Sequence, residues 1–141
     1  MIEENKIKMQ NNKLPSEYLT EFLNFISESQ THYNFCLEEM ETQDKLTQDF
    51  LHSLELDDLK CKERSKLATQ LSINRKDRRY FKDRIEEFEP IVKFFEENQN
   101  KRILDKLKQV LGECRKAERY HKHRTYIPKV IRNKENKKQE E

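Results

Sequence analysis

A chain with one glycine and three prolines has few means of turning sharply. Tight hairpin turns need glycine or asparagine at positive φ, so a sheet protein is excluded and most of the chain is expected to be helix. Apolar residues are scarce too: 33% of the 141 residues are hydrophobic and 40% are charged, which suits an extended bundle and not a thick core. The three cysteines, Cys36, Cys61 and Cys114, stand far apart without a CxxC pair, a usage that fits a reducing compartment better than a disulfide scaffold. No run approaches the about 18 apolar residues of a membrane span, and the opening MIEENKIKMQ lacks an apolar core of signal-peptide length. The expectation is a soluble cytoplasmic protein with no membrane partner.

Catalytic signatures are missing as well. There is no GxSxG, P-loop or GxGxxG, and the carboxylates are spread along a solvated face without an apolar pocket to raise a pKa. His32 with Cys36, and His121 with His123, lack the third and fourth ligands zinc needs. No enzymatic activity, metal or cofactor is expected.

What the chain does have is two apolar ladders stepping by threes and fours, the spacing of a coiled-coil seam. The first is Leu19, Phe22, Ile26, Ser29, Tyr33, Cys36, Met40, Gln43, Thr47, Phe50 and Leu54; the second is Arg64, Leu67, Leu71, Asn74, Arg78, Phe81, Ile85, Phe88, Val92 and Phe95. Folding the chain at Asp57 places Leu19 beside Phe95, Ile26 beside Phe88, Tyr33 beside Phe81 and Thr47 beside Leu67. The predicted fold is all-α: a long antiparallel, coiled-coil-like hairpin, a third shorter helix packed on its open end, and an extended C-terminal strap.

In detail, residues 1–14 read as a disordered arm and 132–141 as a disordered tail, flanking a single helical domain over 15–131. Its helices are expected at about 16–55, 58–97 and 100–122, capped by Ser16, by Asp57 or Asp58, and by Asn100. Pro90 lies inside the second, where the ladder stays in phase and favours a kink over a break. Gly112, inside the third, points to a close helix contact. A short connection would make the third helix double back on the second, bringing Ile103 near Phe95, Leu111 near Phe88, and Arg119 or His121 near Arg78. Pro128 and the apolar residues Tyr126, Ile127, Val130 and Ile131 mark an extended docking strap over 124–131.

Charge is uneven. No arginine precedes Arg64, and residues 1–60 carry a net −8 against +10 for residues 61–141. Either one arm neutralises the other or the second half has an anionic partner. The densest basic run, Arg75, Lys76, Arg78, Arg79, Lys82 and Arg84 with Tyr80 and Phe81 inside it, faces Glu38, Glu39 and Glu41 as an electrostatic zipper or else serves phosphates and bases. A second basic cluster runs from Arg115 to Arg124. With the fold-back, Asn74, Arg75, Arg78, Arg79, Lys82, Arg119, His121, Arg124 and Tyr126 form one mid-hairpin patch for an anion, nucleic acid or nucleotide, or for a host protein. Asn74 and Arg78 also break the apolar ladder opposite Met40 and Cys36, where buried polar groups set register. At the tip, Leu46, Phe50, Leu51, Leu59, Leu67 and Leu71 lack a third layer, so a homodimer or higher oligomer is expected through them.

Three stretches, EMETQDKLTQDFLHSLEL (39–56), NRKDRRYFKDRIEEFEP (74–90) and RKAERYHKHRTYIPKV (115–130), resemble a loose group of small helical accessory proteins of bacteriophages and prophages. The resemblance is one of texture, with no activity attached to the group. It implies a protein that binds, blocks or sequesters a host component. Combined with the ladders, the expectation is a non-enzymatic helical interaction protein directed at a host macromolecule. The rivals are an anion binder and a structural coiled-coil assembly protein.

Overall fold

The computed structural model describes residues 12–131. Three helices follow in order, α1 (Pro15–Leu56), α2 (Cys61–Glu96) and α3 (Asn98–His123), and no strand occurs among the described residues. The 42 residues of α1 extend about 63 Å at 1.5 Å per residue. α2 returns beside it, and this antiparallel pair is the body of the molecule. α2 continues unbroken through Pro90 to Glu96. The segments 1–11 and 132–141 lie outside the described residues. Asn12 to Leu14, assigned to the same arm from sequence, are instead tied to α1: Lys13 Nζ sits 2.5 Å from the Glu21 carboxylate and 5.8 Å from the centre of the Tyr18 ring.

The helix starts differ from those read in the sequence. Leu14, not Ser16, is the N-cap of α1; Pro15 occupies the first turn, and Glu17 accepts the Leu14 N–H at 2.9 Å. Ser16 is drawn into the helix because its hydroxyl has a distant partner, described below. Asp57 closes α1 instead of opening α2: its N–H donates to Ser53 O at 3.1 Å, and its carboxylate accepts the Ser53 hydroxyl at 2.7 Å. α2 begins after Lys60, whose N–H donates to Glu63 at 3.2 Å, and Arg64 Nε donates to Leu59 O at 2.8 Å. Asn100 does not cap α3. Its side-chain amide reaches back to Phe94 O at 2.6 Å, stitching the end of α2 to the start of α3 across the single residue Glu97.

The seam is the one the ladders specify, but its register is shifted. Asn74 lies opposite Gln43 and Thr47 instead of Met40, Phe88 against His32 instead of Ile26, Phe81 against Phe35, and Arg78 against Asp44 instead of Cys36. Two causes act together. The reversal takes the four residues Asp57–Lys60 and not one, which moves its centre toward α2. A buried asparagine also needs polar partners, and Met40 offers only a weak acceptor sulfur. At the observed register Asn74, 4% exposed, donates from Nδ2 to Gln43 O at 2.9 Å and to Gln43 Oε1 at 2.8 Å, and accepts the Thr47 hydroxyl at 2.6 Å.

Burial along the seam is thin. Ile26, Ser29, Cys36, Leu67, Asn74 and Val92 are buried, while most other ladder positions are half-exposed. α3 adds Leu111. Gly112 makes no close contact: a methyl group placed there meets nothing within 4 Å, contrary to the expected helix approach. The strap is extended only in part. Residues 124–128 are irregular and 129–131 helical, and Tyr126, Ile127, Val130 and Ile131 are 61–87% exposed, so the segment docks on nothing in its own chain.

Three outcomes follow for stability. Asn74→Ala, which removes the buried amide and its bonds to the part-buried Gln43 and Thr47, is expected to cost about 1–3 kcal/mol in urea unfolding. The triple change Gln43→Leu, Thr47→Val, Asn74→Leu should recover that loss but loosen register, read as a lower disulfide yield between cysteines placed at 44 and 78. Gly112→Ala should stabilise by about 0.5–1 kcal/mol in the same assay, since it improves helix propensity without a clash.

Candidate functional site

The position of α3 decides which predicted site residues can act together. α3 does not double back along α2. Both oxygens of Glu118 meet Ser16, accepting its N–H at 3.1 Å and its hydroxyl at 2.5 Å, and an Arg115 guanidinium N–H donates to Thr20 Oγ1 at 3.1 Å. As α3 advances, its partners fall back toward the start of α1, so α3 runs antiparallel to α1 and ends beside Leu14. A carboxylate placed on the first N–H groups of a helix also meets the positive end of the helix dipole. A one-residue link favours this path, because Glu97 leaves no loop in which the chain could reverse. Between the three helices lies a cleft of about 390 Å³, lined by Leu23, Ile26, Gln30, Val92, Phe95, Leu104 and Lys108.

The mid-hairpin patch is therefore not assembled. Arg119 and His121 lie by Leu14, whereas Arg78 pairs with Asp44 at 2.5 Å. Ser16 and Asp44 are 28 residues apart on one helix, about 42 Å at 1.5 Å per residue. Asn74, Arg75, Arg78, Arg79 and Lys82 stay together near the middle of α2; Arg119, His121, Arg124 and Tyr126 stay together at the open end. Asn74 is buried and committed to the seam. The electrostatic zipper is also absent in close contact. Arg78 to Asp44 is the one ion pair between α1 and α2 within 4 Å among the described residues, and Glu38, Glu39 and Glu41 meet no α2 base at that distance.

The predicted tip residues divide. Leu67 is buried, Phe50, Leu59 and Leu71 are half-buried, and Leu46 and Leu51 are exposed. Leu46 belongs to a larger surface that sequence reasoning missed. On the side of the hairpin away from α3, a groove of about 370 Å³ is lined by Phe22, Phe25, Pro90, Ile91, Phe94 and Phe95 and is almost wholly apolar. A second groove of about 320 Å³ continues it through Phe25, Glu28, Ser29, His32 and Phe88. Ring contacts extend the row toward the tip: His32 to Phe88 at 5.0 Å, Phe35 to Phe81 at 6.2 Å, and Phe81 to Tyr80 at 5.4 Å, with the Arg84 guanidinium 5.7 Å from the Tyr80 ring. The available signal is a second seven-residue period beside the seam: Phe25, His32, Glu39 and Leu46 on α1, and Ile73, Tyr80, Glu87 and Phe94 on α2. Of these, Phe25, Leu46, Ile73, Tyr80 and Phe94 are 38–56% exposed.

Cys36, beneath this face, is fully buried, with its sulfur 3.6 Å from His32 Nε2. Burial pushes its thiol pKa up, opposed by the Arg84 charge, so it is not set up as a nucleophile. Among the described residues no group of three or more His, Cys, Asp or Glu is arranged to hold a metal ion, and no helix is long and apolar enough to cross a membrane. No protein-family model, curated protein or solved structure matches the chain.

The Glu118 contact is what holds α3 in place at its far end. Glu118→Ala should lower stability by about 1.5–3 kcal/mol, the usual worth of hydrogen bonds to a charged acceptor. Hydrogen exchange should quicken in the C-terminal half of α3 while the α1–α2 seam near Asn74 keeps its protection.

Proposed function

We propose that this is a non-enzymatic helical interaction protein, encoded by a phage or prophage, that binds a protein of its bacterial host in the cytoplasm and blocks or sequesters it. The observation that supports this reading is the apolar face opposite α3. Phe22, Phe25, Phe35, Leu46, Ile73, Tyr80 and Phe94 leave it 38–56% exposed, spread over about 36 Å of helix. A free surface rarely carries so many large apolar side chains in a row unless something covers them. The shape fits one partner class well: an amphipathic helix laid lengthwise between α1 and α2, anchored at spacings of three and four.

Charge narrows the partner. α1 contributes nine acids against one base, and Glu28 lines the groove. A partner helix with an apolar stripe, a basic flank toward α1 and an acidic flank toward α2, where Arg84 stands in the aromatic row, complements the groove. The phage setting rests on the resemblance of the three stretches quoted above. A second copy of the chain carries the same face, and the tip leucines Leu46 and Leu51 support self-association as the competing reading.

The test is capture from host lysate, with and without nuclease, followed by the native mass of the complex, comparing the unaltered chain with the double variant Phe25→Glu, Phe94→Glu. Both residues are about half exposed, so the variant should keep its helix content. Expected is a nuclease-resistant heteromeric complex whose affinity falls tenfold or more in the variant, since each interface phenylalanine is worth about 1.5–3 kcal/mol. A homo-oligomer mass with no second protein overturns the host-partner reading in favour of self-association. A captured protein that the variant retains undiminished removes the face from consideration.

A further inference from the structure

On the flank that α3 covers, the cleft of about 390 Å³ has three walls, one from each helix, whereas the grooves of the other flank have two. Its floor is apolar: Leu23 and Ile26 of α1, Val92 and Phe95 of α2, and Leu104 of α3. Its rim is polar and sorted by charge. Along α1 the rim is Ser27, Gln30 and Thr31, all neutral, although that helix carries nine acids. Across from them stand Lys101 and Lys108 of α3, on one face of the helix with Leu104 between them. Among the described residues no acid lines the cleft, and neither lysine has an acid within 4 Å in an ion pair.

Hollows between thin helices are common, and lysine at a helix edge is ordinary; an acidic helix cleared of acids opposite two unpaired lysines, over one apolar floor, is neither. A lysine lays its methylene stem along apolar surface and keeps its ammonium in water, so both stems extend the floor and both charges stand at the rim. The two are two turns apart, about 10.5 Å along α3, and their flexible stems let them converge on one headgroup. The volume lies in the range of about 300–1,000 Å³ that suits a small ligand. From Leu23 to Thr31 the cleft follows about 12 Å of α1, room for one medium-length acyl chain. Phe95 is the one aromatic residue lining it, so the floor suits an aliphatic tail better than a planar ring system. The rim holds no arginine, whose bidentate fork matches phosphate, and its two point charges serve a carboxylate. We propose that this three-helix cleft binds a single-chain aliphatic carboxylate, its tail along Ile26, Val92 and Leu104 and its head held by Lys101 and Lys108.

Isothermal titration calorimetry of the unaltered chain with decanoate, kept below its micelle-forming concentration, tests this. Expected is saturable binding of one decanoate per chain, with octanoate about 15-fold weaker for the two methylenes it lacks. Lys101→Gln with Lys108→Gln should weaken decanoate about fivefold, the worth of two exposed charge contacts, and leave uncharged decanol unaffected. Ser27→Phe, which sets a ring in the mouth, should abolish binding. Ser27, Lys101 and Lys108 are exposed, and circular dichroism checks that each variant stays helical. Phe25→Ser with Phe94→Ser, at positions that line only the grooves of the other flank, should bind decanoate as the parent does. The proposal is overturned if decanoate gives no saturable heat, if decyltrimethylammonium binds equally well, or if the lysine variant or Ser27→Phe binds decanoate as tightly as the parent. Loss of binding in the phenylalanine variant overturns it too, by moving the tail to the aromatic face. Flotation with phosphatidylglycerol vesicles separates the sources of such a tail: a chain that floats with vesicles but ignores free decanoate takes a membrane lipid, and the carboxylate is overturned. Failure of this proposal leaves the host-protein reading standing, because that reading turns on Phe25 and Phe94, which serve here only as a control.

Discussion

One polar layer that bridges α1 and α2 inside the seam governs the rest of this structure. Asn74 can be buried between α1 and α2 only where it finds partners, and Gln43 and Thr47 supply them. In an antiparallel pair with so little buried area, sliding by a heptad would cost modest apolar contact, so hydrophobic burial alone discriminates register weakly. A stranded buried amide, by contrast, costs its full desolvation. The layer thus chooses one alignment among several that the ladders permit, and that alignment places Asp44 against Arg78 and His32 against Phe88.

The second constraint is the corner at Glu97. With one residue between α2 and α3, the chain changes direction without space for a loop, and α3 passes along α1 until Glu118 reaches the N-terminus of α1. α3 lies against one flank of the hairpin's open end, and the groove on the other flank there is lined by α1 and α2 alone. The same path carries the basic end of α3 away from the basic middle of α2. One packing decision therefore creates an uncovered aromatic face and splits what looked like a single cationic patch into two.

The two surfaces differ in physics as well as position. The groove along Phe25 and His32 is lined almost wholly by apolar and aromatic side chains, whereas the cleft at Arg115 and Arg119 is lined mainly by basic ones. They lie at separate places along α1, which is about 63 Å long. Between the helices the one fully buried thiol, that of Cys36, has its pKa raised by burial.

Helix content, the hairpin and the residues of the seam were legible from sequence, because seven-residue periodicity is a local property that any coiled-coil pair must display. The apolar row through Phe25 and Phe94 was equally written there, yet it reads as surface until one knows which flank α3 covers. Register was not legible, since the ladders pair almost as well at Asp57 as at the observed reversal, and only the three-dimensional demand of Asn74 separates the two. The caps at Ser16 and Asn100 were misassigned for a related reason: both side chains had partners elsewhere, Glu118 and Phe94 O, that no local pattern announces. Sequence by itself determined the elements and their inward faces; tertiary structure alone decided their alignment and which charges meet, because contacts between residues a hundred positions apart depend on the direction taken at a single link.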